Sequence, residues 1–352
     1  MKRRSFLKVV GSATSGAALA PQSMLGMAPA VDEVERVAGL PHRVLGRTGQ
    51  RISVVGFPGL ALTHYEQEEC TAGLHAALER GVNYFDVAPA YGKGVCETRM
   101  GIGLEGVERS RYFLSCKTKA RDKAGAREEL ERSLKLLKTD QFDLYQLHCL
   151  RRPEEVEEAL GPDGAIRTLL EARERGQVKY LGFSAHTTKA AVAAMRAFRF
   201  DTAMFPINFV EMLGFGIGRE VLDVAQEQGV AVLAIKALAR GAWPKGAERT
   251  RKWWYRATEE QAEADLAVRF ALSQPGVAAV IPPSFLDLVE KAVVAARGYR
   301  PITTAEVEQL AGIARSCESV FQKEEARVAW RRAARGPLYP DSPHEGGCEH
   351  LA

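Results

Sequence analysis

The sequence predicts one (β/α)₈ barrel, an α/β fold, with an N-terminal β-hairpin and extra C-terminal helices. From Arg51 onward, short runs of β-branched and aromatic residues alternate eight times with segments whose apolar residues recur every three or four positions. This alternation is typical of a parallel sheet covered by helices. A chain of 352 residues with 46% hydrophobic composition is also long enough to bury one large core.

Each predicted strand is a run of four to six residues with a helical segment after it. The eight strand candidates are Ser53–Gly56, Asn83–Val87, Tyr112–Cys116, Phe142–Leu147, Tyr180–Ser184, Ala203–Pro206, Ala231–Ile235 and Ala278–Ile281. The clearest helical periodicities cover Glu66–Arg80, Ala126–Leu137, Ala165–Arg175, Ile217–Gln228 and Glu259–Ser273.

The two ends of the barrel domain, residues 31–335, carry additional elements. Residues Arg43–Ile52 read as a hairpin that turns at Thr48 and Gly49 and plugs the barrel floor. Thr304–Arg332 is predicted to form one or two helices packed outside the barrel. Residues 336–352 are rich in Pro and Gly, so we expect a disordered tail.

The first 30 residues resemble a twin-arginine export signal. Arg3 and Arg4 begin the motif, and the weakly apolar run Val9–Ala20 contains two Gly, two Ser and a Thr. This run falls short of the ~20 apolar residues that span a bilayer, which argues against a membrane anchor. We expect cleavage after Ala30 and export by the twin-arginine translocation (Tat) machinery to the periplasm or cell envelope.

Charge and cysteine content limit the function classes. The formal charge is +4, and the first 30 residues carry four basic and no acidic residues, so the mature chain is neutral and has no basic footprint for nucleic acid. Six cysteines show no C-x-x-C spacing and read as structural, although a Cys317–Cys348 bridge is an alternative in an oxidising compartment. No metal site is predicted.

Four polar residues follow three consecutive strands. Asp86 ends the second strand, Tyr91 lies five residues later, and Lys117 and His148 follow at intervals of 31 residues, one βα unit each. Because barrel chemistry collects at the C-terminal ends of the strands, we expect these side chains to meet at one rim. Singly, each strand-end Asp, Lys or His is more often a solvated or capping residue.

Together, these residue types suit protonation of a carbonyl. A tyrosine with a pKa of ~10 is a weak acid at neutral pH, but an ammonium ~4 Å away stabilises its phenolate by roughly 4 kcal/mol at an effective dielectric of ~20. Lys117 is expected to lower the pKa of Tyr91 toward ~7 in this way, with Asp86 keeping Lys117 protonated. His148 is expected to orient the substrate oxygen.

The run Phe85–Gly92, with Glu97 downstream, the strand-end Lys117 and the Q-L-H run that closes on His148 resemble the aldo-keto reductase family. The resemblance extends from about His42 to Ala296. It implies a nicotinamide cofactor, NADP or NAD, bound without a Rossmann domain, and hydride transfer to an aldehyde or ketone or the reverse alcohol oxidation. The G-x-G-x-x-G run at 101–106 is not preceded by a strand, so it does not predict a dinucleotide fingerprint.

The resemblance also implies cofactor-binding positions, several of which carry unusual residues. The implied contacts are Gly59, Ser184, Asn208, Lys236, Leu238, Arg240, Gly241, Pro282 and Ser284. The family's customary Asn, Gln and nicotinamide-stacking ring are replaced by Ala185, Met204 and Ile235, and the charged 2′-phosphate positions read Pro283, Val289 and Val293. NADP and NAD therefore both remain open, and Lys236 has the alternative of a strand-end side chain that reaches solvent.

An aromatic insertion follows the seventh strand. Gly241–Thr258 carries Trp243, Trp253, Trp254 and Tyr255, which either line a substrate pocket or pin the loop to the barrel. The favoured function is an NAD(P)H-dependent oxidoreductase acting on a small carbonyl compound. The alternative is a non-catalytic nicotinamide-nucleotide-binding redox sensor or accessory subunit.

Overall fold

The computed structural model describes residues 35–329. Three short antiparallel strands come first, namely β1 Arg36–Val37, β2 Leu40–Val44 and β3 Arg51–Ser53. A 3-10 turn at Gly46–Thr48 joins β2 to β3, and Gly49 after it adopts a left-handed φ of 70°. The predicted hairpin is confirmed, and β1 is an additional strand at its edge.

Eight parallel strands then form the barrel in chain order. They are β4 Gly56–Pro58, β5 Tyr84–Asp86, β6 Phe113–Thr118, β7 Phe142–Leu150, β8 Val178–Ala185, β9 Thr202–Pro206, β10 Ala231–Ile235 and β11 Val277–Ile281. A parallel bridge between Val55 and Val280, with Val280 N donating to Val54 O at 2.9 Å, joins the first and last strands. The predicted (β/α)₈ fold is confirmed.

Helices follow every barrel strand. They are α1 Gln67–Glu79, α2 Val95–Gly103, α3 Lys123–Leu136, α4 Pro153–Leu160, α5 Ala165–Glu174, α6 Thr188–Ala197, α7 Arg219–Gln228, α8 Gln261–Leu272 and α9 Leu286–Arg297, then α10 Thr304–Ala314 and α11 Gln322–Ala329. The five helices predicted from periodicity correspond to α1, α3, α5, α7 and α8.

The first barrel strand begins later than the sequence predicts. Residues Ser53–Gly56 were expected to form it, but Ser53 belongs to the hairpin and pairs with His42, and β4 begins only at Gly56. The apolar run that contains Val54 and Val55 is continuous through both elements, so its composition does not show where one ends. The start of this strand was therefore predicted wrongly by three residues.

The G-x-G-x-x-G run at 101–106 begins inside α2, not after a strand. A Cβ built on Gly101 would lie 2.3 Å from the carbonyl oxygen of Leu136, so a larger residue would push α2 away from the end of α3. This glycine serves close helix packing. Its position agrees with the prediction that the run is not a dinucleotide fingerprint.

The barrel has an inner core at its N-terminal end. The hairpin residues Leu45 and Ile52 are fully buried there against Tyr84, Phe113 and Leu144. The expected floor plug is therefore present, and the chemistry is left to the opposite, C-terminal face.

The segment after α10 crosses that C-terminal face. Val320 N donates to Glu211 Oε1 at 2.7 Å, and Thr188 N donates to Glu325 Oε1 at 2.7 Å. One or two helices were expected in this region, and the structure has two, α10 and α11. Helix α10 packs outside the barrel, as expected. The segment 317–329, which contains α11, lies over the barrel mouth instead.

Within residues 35–329, no helix is long and apolar enough to cross a membrane. The five cysteines of this region, Cys70, Cys96, Cys116, Cys149 and Cys317, are free thiols. The twin-arginine segment, the 336–352 tail and Cys348, and with it the alternative Cys317–Cys348 bridge, lie outside the described residues.

The floor plug yields a stability prediction. Leu45→Ala should lower the free energy of unfolding by about 2 to 5 kcal/mol, because it removes a fully buried side chain from the inner core. Val44→Ala is the matched control, since Val44 is 45% exposed, and its effect should stay within about 0.5 kcal/mol. Urea denaturation measures both, and equal effects of the two substitutions would contradict the plug.

Candidate active site

The ends of three neighbouring strands bring the four predicted catalytic residues together. Lys117 Nζ donates a hydrogen bond to Asp86 Oδ2 and lies 3.4 Å from Tyr91 Oη. The rings of Tyr91 and His148 meet edge to face, with centroids 5.5 Å apart. The residues spaced 31 positions apart in the sequence therefore share one site at the C-terminal face.

The hydrogen bonds of Lys117 determine the donor direction at Tyr91. An ammonium carries three donors and no acceptor. Lys117 Nζ directs them to Asp86 Oδ2, to Val87 O at 3.1 Å and to Tyr91 Oη. The phenolic oxygen of Tyr91 is therefore an acceptor from Lys117, and its own hydrogen is the donor that it can offer to a carbonyl oxygen in the pocket.

A tight turn presents Tyr91. The three residues after it, Gly92, Lys93 and Gly94, have left-handed φ angles of 61°, 53° and 96°. Lys93 is an uncommon residue in this conformation, which usually costs a non-glycine side chain free energy. The turn starts α2 directly behind the tyrosine and keeps Tyr91 at the rim, with 8% of its surface exposed.

Asp86 belongs to a buried polar chain under the site. Gln146 Nε2 donates to Ser115 Oγ at 2.9 Å, and Ser115 Oγ donates to Asp86 Oδ1 at 3.2 Å. Burial raises the pKa of Asp86, while Lys117 and Ser115 act in the opposite direction. The chain fixes Oδ1 of Asp86, and so it positions the carboxyl group whose Oδ2 accepts from Lys117.

The expected lowering of the Tyr91 pKa is wrong for this structure. Burial raises the pKa of Tyr91 well above its ordinary value, and the negative charge of Asp86 adds to the increase. Lys117 is close enough to act in the opposite sense, but its charge is shared with Asp86 in a direct ion pair. Tyr91 is therefore a protonated phenol throughout the neutral pH range.

The end of β7 fixes His148. Arg121 Nη2 donates to the carbonyl oxygens of His148 and Cys149, at 2.9 and 3.2 Å, and Cys149 N donates to Ser184 Oγ at 2.7 Å. Cys149 has a left-handed φ of 58°. These bonds turn the backbone sharply just after His148, whose ring lies at the pocket wall.

A pocket with a volume of about 560 Å³, including its open mouth, lies above these residues. Ten residues predicted for the site line it, namely Asp86, Tyr91, His148, Ser184, Lys236, Trp253, Trp254, Tyr255, Pro282 and Ser284. Lys117 is buried behind Tyr91. The predicted residues Gly59, Asn208, Leu238, Arg240, Gly241 and Trp243 lie outside the lining.

Six further residues complete the lining: Pro58, Leu60, His186, Met204, Ile235 and Ile281. Met204 and Ile235 occupy positions where the sequence departs from the family pattern, and His186 follows Ala185, a third such position; none of the three lining residues was proposed as a site residue. Pro58 and Ile281 end β4 and β11, so their strand-end position is the signal that identifies them. Leu60 had no such signal in the sequence.

The aromatic insertion both lines the pocket and pins the loop. Trp253 packs edge to face on Phe285, 5.3 Å between centroids, and on His64, 5.7 Å between centroids. Trp243 Nε1 donates to Trp253 O at 2.8 Å from outside the pocket. The two alternatives for this loop are therefore compatible, with Trp253, Trp254 and Tyr255 in the wall and Trp243 behind it.

Several predicted cofactor positions are already engaged within the protein. Arg240 Nε pairs with Glu263 Oε1 at 2.8 Å, and a Cβ on Gly241 would lie 2.4 Å from Glu318 O. Asn208 Oδ1 accepts from Glu211 N at 3.0 Å, while its buried Nδ2 has no hydrogen-bond partner among residues 35–329. Within the same region, no group of three or more His, Cys, Asp or Glu residues could hold a metal ion.

Lys236 is the cationic residue in the pocket wall. Its backbone is left-handed, with φ 59°, and only 8% of its surface is exposed. Burial lowers the pKa of Lys236 to about 8. The alternative of a strand-end lysine that reaches solvent is therefore wrong, because the ammonium remains inside the mouth.

This burial yields a second stability prediction. The folded pKa of about 8 lies below the ordinary 10.5, so the unfolded chain binds the proton more tightly and the charge opposes folding below pH 8. Lys236→Met should raise the free energy of unfolding by up to about 3 kcal/mol at pH 7, and the gain should shrink as the pH rises from 8 toward 10.5.

The exposed Lys189 on α6 provides the control. Lys189→Met should change the free energy of unfolding by less than about 0.5 kcal/mol at either pH. Denaturation curves at pH 7 and pH 10 give the comparison. A Lys236→Met variant that is less stable than the wild type at pH 7 would contradict the unfavourable charge.

Known proteins match this architecture. An uncharacterized oxidoreductase of Bacillus subtilis (strain 168), YqkF, is 25% identical over 304 residues, which cover 76% of this chain and 94% of the relative. The holo form of the aldo-keto reductase AKR11C1 from Bacillus halodurans superposes with a TM-score of 0.65 at 24% identity, covering 81% of this chain and 99% of that one. An aldo-keto reductase from Klebsiella pneumoniae in complex with NADPH has a TM-score of 0.61 at 20% identity, covering 77% and 94%.

The model of the Aldo/keto reductase family matches residues 55–315, from the strand that opens the barrel to the end of α10. This range contains all four residues of the strand-end cluster and every residue that lines the pocket. The chain is an oxidoreductase that belongs to the aldo/keto reductase family.

Proposed function

We propose that the protein reduces an aldehyde or ketone to an alcohol at the expense of NADPH or NADH, with Tyr91 as the general acid. The observation that carries this proposal is the donor arrangement around Lys117. Its ammonium bonds to Tyr91 Oη, so this oxygen accepts from Lys117 and keeps its own hydrogen as the proton that it can donate. His148 lies at the edge of the same ring and can bind that oxygen as well.

The residues present fit the nicotinamide end of such a cofactor. Ser184 Oγ lies in the pocket wall and is suited to an amide group, while Ile235 offers an apolar surface to a flat ring. The bound nucleotide supplies the hydride. The NADPH complex of the Klebsiella protein supports this assignment.

The end of the cofactor site away from the nicotinamide is less polar. Pro282 and Ser284 line the pocket beyond β11, and Lys236 is the one Lys or Arg among the lining residues that the structure describes. The nearby Arg251 pairs with Asp287 and Glu259 across the insertion. The site therefore gives no charge-based preference for a 2′-phosphate, and both nicotinamide nucleotides remain candidates.

The chain's own residues favour the reductive direction. Reduction requires a protonated Tyr91, and burial keeps this phenol protonated. Alcohol oxidation requires the phenolate, which burial and Asp86 disfavour. After the proton leaves, Lys117 is the charge next to the new phenolate, and its bond to Oη becomes an ion pair.

Replacing Tyr91 tests the acid. Tyr91→Phe should lower kcat/KM for an aldehyde such as 4-nitrobenzaldehyde by about 10²-fold or more, because positioned general acids contribute about 10² to 10⁴ in rate. The assay is loss of nicotinamide absorbance. Tyr112→Phe is the control, because Tyr112 lies outside the pocket against Arg109.

Turnover that survives Tyr91→Phe would exclude Tyr91 as the acid. A nicotinamide nucleotide that co-purifies with the wild type but is oxidised by no carbonyl compound would instead support the non-catalytic sensor or accessory subunit.

We also propose export by the twin-arginine machinery to the periplasm or cell envelope. The support is the sequence motif at Arg3 and Arg4 and the small residues before Ala30. Because that route carries folded proteins, the nucleotide would be loaded in the cytoplasm.

Substituting both arginines tests this route. Arg3→Lys combined with Arg4→Lys should keep the full-length protein in the cytoplasm, whereas the wild type should be found beyond the inner membrane in a shortened form. Cell fractionation with immunodetection and intact mass provides the measurement. Equal distribution of the two proteins would contradict twin-arginine export.

A further inference from the structure

Lys236 is a buried cation without a counter-ion. Its Nζ lies 5.4 Å from the ring centroid of Trp254 and 5.2 Å from that of Phe321, which enclose it from two sides. Among residues 35–329, this ammonium contacts the two rings and makes no hydrogen bond or ion pair. The side chain lines the pocket, so its charge faces the space that Tyr91 and His148 also face.

The nearby acids are committed to other partners. Glu211 accepts from Val320 N at 2.7 Å and from Ser319 Oγ at 2.5 Å, and burial raises its pKa to about 7. Glu324 pairs with Arg151 Nε at 3.0 Å. These two carboxyl groups hold the C-terminal segment against the barrel mouth, and neither of them bonds to Lys236.

Such an arrangement is unfavourable unless a ligand completes it. Buried charges are normally paired, since a cation removed from water loses its hydration. The aromatic rings compensate for only part of that loss. An anionic oxygen that enters the pocket would restore a charge-assisted hydrogen bond in a largely apolar environment.

The position of the ammonium indicates which molecule brings the anion. Phe321, one of the two rings around the ammonium, packs edge to face on His186 with 5.3 Å between centroids. His186 Nδ1 lies 3.6 Å from Sγ of Cys149, the residue after His148. The ammonium therefore lies on the β7 side of the pocket, where His148 is expected to bind the carbonyl oxygen.

We propose that Lys236 binds a carboxylate of the substrate, so that the preferred substrates are carbonyl compounds that carry a carboxylate, such as oxo acids and carboxylated aldehydes. The inference rests on the proposed carbonyl reduction. One cation beside the rings of Trp254 and Phe321 suits a single negative charge on an otherwise apolar molecule.

A matched substrate pair tests the inference. With the full-length protein and saturating NADPH or NADH, whichever it oxidises, kcat/KM for 4-formylbenzoate should exceed that for its uncharged methyl ester by about 10- to 100-fold. Lys236→Met should bring this ratio close to one. Lys189→Met, which removes an exposed ammonium on α6, should leave the ratio at the wild-type value.

The same variants show whether Lys236 binds the substrate or the cofactor. The dissociation constant of the nucleotide, measured by its fluorescence, should change less than threefold in Lys236→Met. A tenfold weaker nucleotide affinity with an unchanged substrate ratio would place Lys236 on a cofactor phosphate and overturn the inference. A wild type that reduces the ester as well as the carboxylate would also overturn it, while leaving the proposed reduction intact.

A binding measurement that needs no turnover distinguishes failure of the proposed carbonyl reduction from failure of the proposed anion site. Benzoate should stabilise the wild type against thermal unfolding, benzamide should not, and Lys236→Met should abolish the difference. If no carbonyl compound is reduced but benzoate still binds through Lys236, carbonyl reduction fails and the anion site stands. If benzoate and benzamide act alike on the wild type, the anion site fails.

Discussion

The buried ion pair between Lys117 and Asp86 is the interaction on which the rest of the site depends. Each partner alone would be an uncompensated charge in the barrel, and removing one partner of a buried pair typically costs about 3 to 5 kcal/mol. The chain supports the pair with neighbouring strands, since Ser115 Oγ donates to the second oxygen of Asp86 and Gln146 Nε2 donates to Ser115 Oγ. With the ammonium fixed in this way, Tyr91 Oη has a fixed donor on its Lys117 side.

The same pair explains why the acid is weak in the resting protein. Lys117 is 3.4 Å from Tyr91 Oη, yet Asp86 adds an opposing charge and burial disfavours the phenolate. The resulting phenol keeps its proton until a carbonyl oxygen develops negative charge beside it. Proton transfer is therefore driven by the substrate, and the free protein contributes an oriented donor instead of an ionised one.

The sequence predicted the barrel and the strand-end cluster because both follow from regular spacing. Parallel strands place their ends at one rim, so Asp86, Lys117 and His148 could be grouped from their positions alone. The start of β4 and the role of Leu60 could not be predicted, because a continuous apolar run does not mark its boundaries. The contacts of the C-terminal segment were also missed, since the hydrogen bond from Val320 to Glu211 joins residues 109 positions apart.

The surroundings of Lys236 also depend on contacts between distant parts of the sequence. This has a consequence for the protein while its chain is being synthesised. Phe321, one of the two rings that enclose the ammonium, lies 40 residues after Ile281, where the last barrel strand ends. A nascent chain can therefore assemble its eight strands while this side of the mouth is still open. The pocket can acquire its final shape only after the segment 317–329 has been synthesised, because Phe321 belongs to that segment.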